Sequence, residues 1–172
     1  MWRLGNNSKL VYESGLHPDW KKIIDMALVV CPIDFSLVDG VRSPERQWQL
    51  FRIGRSHNPD LGSLIDPKAW YKTGNTVTNC DGMEKKSNHQ VQSDGYGHAV
   101  DLAAYIPGRP NLAYDKVHLT AIIGSFLTCG NVLYHERKIG YILRSGADWD
   151  RDTEWLEPGT FHDLPHLELI RP

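Results

Sequence analysis

Two short stretches carry the residues whose types and spacing could do chemistry. The first runs from Ser87 to Asp101, with the sequence SNHQVQSDGYGHAVD, and sets His89 before a Gly-rich turn and Asp101 after it. Asp101 lies in an otherwise apolar run, Ala99 to Tyr105, that reads as a buried strand. A carboxylate in such a run is costly unless something pairs with it, and a metal ion is one such partner. The second stretch is Asp163-Leu164-Pro165-His166-Leu167-Glu168-Leu169. Two histidines and one carboxylate can hold a zinc ion and leave its fourth position open, the arrangement of a catalytic rather than a structural zinc. His89, Asp101 and His166 are therefore the candidate ligands. Asp163 precedes His166 with Pro165 stiffening the approach, so it would project near the metal without ligating it. From there it could take a proton from the attacking water and pass it to a leaving amine. Glu168 shares a strand face with His166 and is a candidate partner behind that ligand. The same alternation puts His98 with Val100 and Leu102, on the face opposite Asp101, so His98 should not ligate beside it.

The rest of the chain must bring these two stretches together. Leu16-His17-Pro18-Asp19-Trp20 opens a helix, with Pro18 suited to a first helical position and Asp19 to the first turn. Trp20, Ile23, Ile24, Ala27 and Leu28 recur at helical spacing, and Pro32 ends the element. Asp34 to Val41 reads as a short strand. Ser43-Pro44 starts a second helix, capped by Ser43, that carries Trp48, Leu50 and Phe51 and stops near Gly54. Arg55 to Lys86 is polar and aperiodic, a long loop with a short strand near Trp70; so long a loop in a compact domain is usually functional. Tyr96 to Tyr105 is a strand, Tyr114 to Thr128 a helix, Ile139 to Leu143 a strand, Gly146 to Gly159 a loop, and Leu167 to Ile170 the last strand. Helices and short strands do not alternate regularly, which predicts an α+β fold rather than a doubly wound sheet.

With 172 residues and no internal repeat or linker, the chain is expected to form a single domain over 1–172. A formal net charge of -2 and scattered Lys and Arg give no basic field, which argues against nucleic acid as a partner. Cys31, Cys80 and Cys129 lie far apart with no C-x-x-C pair, which excludes a Cys-rich zinc knot and fits reduced thiols. The N-terminus shows no apolar signal region. No apolar run approaches the roughly 20 residues that span a bilayer, so no membrane insertion is expected.

Ser87-x-His89 followed by Gly97-x-Ala99-x-Asp101 resembles the S-x-H-x-x-G-x-A-x-D signature of the M15 peptidases, the family of D-alanyl-D-alanine carboxypeptidases, dipeptidases and phage L-alanoyl-D-glutamate endopeptidases. Asp163-x-x-His166 resembles its second metal motif. His17-Pro18 opens a helix in the same order. Asp39-Gly40-Val41-Arg42-Ser43-x-x-Arg46-Gln47 is similar to the family's G-x-R-S-x-x-x-Q segment, and Arg144-Ser145-Gly146-Ala147-Asp148-Trp149 to the R-W-G-G-D-W block of its endolysin branch. The likeness runs from about His17 to Leu169. It implies a small α+β zinc-peptidase domain, a short antiparallel sheet flanked by helices, related to the hedgehog signalling domain. By this resemblance Zn2+ is held by His89, Asp101 and His166, Asp163 is the general base, and Arg42 steadies the polarised carbonyl or a substrate carboxylate. Ser87, Gln47, Asp148 and Trp149 become candidate substrate contacts.

Two features depart from the family pattern. An insertion, roughly Gln92 to Tyr96, could lengthen a loop beside the cleft or bring Asp94 near the metal. Ser145 and Ala147 replace the usual Trp and Gly, so the substrate wall is expected to differ. The function the resemblance implies is cleavage of peptidoglycan stem peptides, at the L-Ala–D-Glu bond, by a monomeric phage or prophage endolysin made in the host cytoplasm and released to the wall. A D,D- or L,D-carboxypeptidase of the same fold, or a non-catalytic zinc-stabilised binding module, are the alternatives.

Overall fold

The computed structural model describes residues 1–55, 76–159 and 161–172. Among these residues, four helices and four strands are arranged as α1 (Asn6–Tyr12), α2 (Pro18–Val30), β1 (Phe35–Asp39), α3 (Pro44–Phe51), β2 (Ala99–Ala104), α4 (Lys116–His135), β3 (Ile142–Ser145) and β4 (His166–Ile170), with a short 3-10 turn at Pro110–Leu112. The sheet order is β1-β2-β4-β3 and every neighbouring pair is antiparallel. This is the expected α+β architecture. The strand expected near Trp70 lies outside the described residues.

The helices start where their capping chemistry says they should. In α2 the His17 ring accepts a hydrogen bond from the Asp19 backbone N–H, and Pro18 follows it. Ser43 Oγ accepts from the Arg46 N–H at the head of α3. Asp115 accepts from the His118 N–H to start α4. The length of α4 is the main difference from expectation, because it runs seven residues past Thr128. Gly130 does not break it; a Cβ there would lie 2.9 Å from Leu143 Cδ1, so the glycine lets β3 pack close against the helix. At 20 residues α4 is, by length and composition, long and apolar enough to cross a bilayer, which corrects the expectation that no such run exists. Here its apolar face, including Ile122, Ile123 and Phe126, is buried in the core. Helix α1 was not visible in the sequence. Seven residues are too few to show two turns of periodicity, and α1 is held instead by Ser8, whose hydroxyl accepts from the Leu37 N–H.

The two faces of the sheet have opposite characters. On one, Leu37, Val100, Leu102, Leu143, Leu167 and Leu169 pack with α2 and α4. Trp20 is fully buried there, and its indole N–H donates to the His98 carbonyl at 2.9 Å, tying α2 to the start of β2. Burying each such side chain stabilises the fold by about 1.5–3 kcal/mol. The other face carries polar residues in a row. Asp101 of β2 pairs directly with His166 of β4, Ala99 with Glu168, and Glu168 in turn with Arg144 of β3. Period-two alternation on three strands therefore collects a carboxylate, an imidazole, a second carboxylate and a guanidinium on one surface. A register shift between Leu37 and Asp39 adds a fifth group, because it sets Asp39 opposite Asp101.

Candidate metal centre

His89 reaches this surface from the loop before β2. Its backbone carbonyl accepts from the Arg42 N–H at 2.8 Å, and its ring Nδ1 lies 2.7 Å from the Gly40 carbonyl. A carbonyl only accepts, so Nδ1 carries the proton and Nε2 is left as a lone pair. That Nε2 sits 3.2 Å from His166 Nδ1 and 3.2 Å from Asp101 Oδ1, and the last two are 3.1 Å apart. Ligand atoms at 2.0–2.1 Å around a tetrahedral zinc would be separated by about 3.3 Å, so the three atoms already form one face of such a polyhedron. His166 is oriented from behind, as its Nε2 lies 3.3 Å from Glu168 Oε2. Glu168 is itself held by Asn88 Nδ2 at 2.6 Å and by Arg144, whose Nε donates at 2.7 Å to Oε1. A carboxylate behind a ligating imidazole is the usual support of a metal-bound histidine.

The residues present thus fit a divalent metal. Without one, the site would hold a proton in its place. Burial alone would lower His166, yet Asp101 and Glu168 hold its ring up at about 9. Burial alone would raise Asp101, yet His89 and His166 keep its carboxyl well below the usual carboxylate range. Burial would also raise Glu168, which His166, Asn88 and Arg144 pull down to about 2. Ligand sites of this kind exchange protons for metal.

Arg42, Asp163, Ser87 and Trp149 line the same open cavity as the three ligand residues, a space of about 610 Å³. Asp163 is not among the atoms that converge on the ligand position. Burial, helped by the charge of Asp101, raises the Asp163 carboxyl above its ordinary value, with His166, His89 and Arg42 opposing. Its backbone is fixed: Asp163 N–H donates to the Gly146 carbonyl at 2.8 Å, its own carbonyl accepts from His166 N–H at 2.9 Å, and Gly146 N–H donates to the His166 carbonyl at 2.8 Å. Gly146 must be glycine here, since a Cβ would lie 2.3 Å from the Asp163 carbonyl oxygen. The sequence marked Gly146 only through a motif; its contact with Asp163 is legible only in three dimensions.

Arg42 donates from Nε to Asp39 Oδ2 at 2.8 Å and from Nη2 to Asp101 Oδ2 at 2.6 Å, so two of its nitrogens are committed to carboxylates. Gln47 is fully buried behind the cavity wall; its amide N–H donates to the Cys80 carbonyl at 2.8 Å, and its Oε1 lies 3.4 Å from Arg42 Nη1. Ser87 is buried, and its hydroxyl accepts from His89 N–H at 3.3 Å. Trp149 stands with its ring centroid 5.3 Å from that of His166, and its buried indole N–H has no hydrogen-bond partner among the described residues. Asp148 lies in a neighbouring depression with Asp150 rather than in the cavity. Ser145 and Ala147 are buried and do not line the cavity, so their departure from the family pattern does not reshape that wall directly.

The insertion does not bring Asp94 to the metal ligands. Asp94 Oδ2 instead accepts from His98 Nε2 at 2.8 Å, and lies 3.9 Å from His17 Nε2, across a separate depression beside Tyr141. This group, too, contains two imidazoles and a carboxylate. His17 Nδ1 already accepts the Asp19 N–H, however, so its Nε2 carries the proton and points a donor at Asp94. The second cluster is a hydrogen-bonded clamp.

No protein-family model matches the chain, and no curated protein does. Among solved structures the fold is similar to that of the Serratia marcescens L-Ala D-Glu endopeptidase ChiX, with a TM-score of 0.55 and 21% sequence identity, over 98% of this chain and 90% of that one.

Proposed function

We propose that the chain is a zinc-dependent endopeptidase that hydrolyses peptidoglycan stem peptides at the bond between L-Ala and D-Glu. The observation that carries this reading is the triangle of His89 Nε2, Asp101 Oδ1 and His166 Nδ1, with Asp163 beside it in one open cavity. The shared fold of an L-Ala D-Glu endopeptidase supports the substrate class. A zinc ion held by the three ligands supplies a Lewis acid for the peptide carbonyl and an acidified water. Asp163, with its carboxyl raised by burial, takes the proton from the attacking water and returns it to the amine nitrogen as the C–N bond breaks. Arg42 fixes Asp101 by its outer oxygen, and Nη1, which gives one N–H to Gln47 Oε1 at 3.4 Å, has a second N–H for an oxygen of the substrate. Trp149 offers a flat wall to the peptide. We read the biological setting as host lysis by a phage or prophage, with a monomeric enzyme made in the host cytoplasm and acting on the wall after release.

The test is incubation of purified sacculi with the protein, with and without chelator, followed by identification of the new termini. New N-terminal Glu, lost on chelation and restored by zinc, is the expected result. Release of free D-Ala would make the protein a carboxypeptidase, and no product at all would make it a binding module.

A further inference from the structure

The cations around the cavity fall into two kinds. Arg42 is engaged by Asp39 and Asp101, and Arg144 by Glu168. Lys85 and Lys86 line the same cavity, are exposed, and form no ion pair among the described residues. Asp81 turns one oxygen to the backbone N–H groups of Met83 and Lys85, at 2.7 and 3.0 Å.

The backbone that presents the two lysines is pinned. Gln47 and Gln90 are both buried; their side-chain amides donate to the carbonyls of Cys80 and Gly82, each at 2.8 Å. Gln90 Oε1 accepts the Ser87 N–H at 2.9 Å, and Gly82 N–H donates to the Lys85 carbonyl at 3.1 Å. Two ammonium groups are thus offered to the cavity from a base fixed at both ends, so little backbone ordering is left to oppose binding of an anion. Lys86 is only three residues from the ligand His89, a chain distance of at most about 11 Å.

We infer that Lys85 and Lys86 form the anion subsite that takes the free carboxylate of the residue whose amine is released by the cut. This rests on the peptidase reading above. A Glu residue joined through its amine to L-Ala has two carboxyl groups, and the stem can continue through only one. The other reaches the cavity as a carboxylate, or as a neutral carboxamide where it is amidated. Ammonium groups on the wall favour the charged form and set specificity between the two.

The experiment uses two synthetic stem peptides that differ only in that group, carboxylate against carboxamide. Cleavage is measured for the full chain, Lys85→Gln, Lys86→Gln, the double variant and Lys86→Arg, with Lys9→Gln as a remote charge control. The unaltered protein is expected to prefer the carboxylate by about tenfold in kcat/KM, as two partly exposed ion pairs allow. The double variant should lose that preference through a higher KM on the acid substrate, with the amide rate and metal content unchanged. Lys86→Arg should retain it, and raised salt should shrink it. An unchanged preference in the double variant, or an equal loss in Lys9→Gln, overturns the subsite while leaving the peptidase intact. Cleavage of neither peptide, nor of sacculi, by the unaltered protein overturns both.

Discussion

The Arg42 guanidinium holds Asp101 by Oδ2 at 2.6 Å, leaving Oδ1, the oxygen 3.1–3.2 Å from the two histidine nitrogens, free to ligate. One arginine separates the two jobs of one carboxylate. It also sits between Asp39 and Asp101, two like charges that the strand register places opposite each other. Lysine keeps the charge but cannot span both carboxylates with a planar fork. Arg42→Lys is therefore expected to weaken metal affinity by about 10–100-fold, as loss of an outer partner does, and Arg42→Ala to do so at least as strongly. Zinc content and sacculus cleavage in the three proteins are the measurements; equal values throughout would place Arg42 outside the site's working parts.

The ligands and their supports should separate cleanly. His89→Ala and His166→Ala are expected to lose metal and activity together. Glu168→Gln should keep the imidazole oriented but bind zinc about 10–100-fold more weakly, because an amide is a poorer acceptor behind a ligating histidine. Metal titration followed by calorimetry checks this. Full zinc content in both histidine variants would remove the assignment.

Asp163→Asn is expected to retain zinc and the fold while turnover drops by at least roughly 100-fold, the usual scale of general acid–base help. Near-normal turnover would move the proton transfer to another group.

Gly146→Ala asks for the same residue to be displaced rather than replaced. A methyl group 2.3 Å from the Asp163 carbonyl must push that loop away, and overpacking of this kind costs about 1–3 kcal/mol. Thermal unfolding and turnover should both fall. A variant as stable and as active as the parent would show that the loop tolerates the shift.

The clamp of Asp94 on His98 should show in acid. Burial pushes the Asp94 carboxyl up, but the His98 hydrogen bond, the Tyr96 N–H and the nearby imidazoles bring it below its ordinary 3.8. A carboxylate lowered in the folded state adds stability that is complete above the unfolded value and disappears as pH falls through the folded one. Asp94→Asn lacks it. The stability difference between the two proteins, at most about 1 kcal/mol for so exposed a carboxylate, should narrow as pH falls below 3.8. Urea midpoints measured from pH 3 to 7, as an approximate working range, would refute the clamp if the gap did not change.

The candidate site was legible because its chemistry is local. His89 and Asp101 flank one turn, and His166 and Glu168 alternate on one strand, so spacing grouped each pair, while the meeting of the two stretches, 77 residues apart at His89 and His166, rested on the motif resemblance. Pro18 and Asp19 at the head of α2 and Ser43 at the head of α3 mark helix starts for the same reason. What escaped depends on contacts between distant segments. The continuation of α4 past Gly130 brings the helix against Leu143 of β3, and Asp94 meets His98 rather than the His89, Asp101 and His166 group. The partners of Arg42 needed the register shift in β1, which no periodicity reveals.

The strand order has a consequence for how the protein comes to exist in the cell. β4 is the latest of the four strands in sequence, yet it lies inside the sheet, hydrogen-bonded to β2 on one side and β3 on the other. A chain emerging from the ribosome can pair β1 with β2, but β3 has no strand neighbour and the triangle of His89, Asp101 and His166 lacks a corner until residues 166–170 are free to slot between them. Since a sheet with its middle strand missing leaves both flanking edges open, nascent chains are exposed to mispairing and to chaperones throughout that interval. Closure of the sheet and completion of that triangle then occur in one event, so no partly synthesised chain that stops short of β4 has all three of its corners.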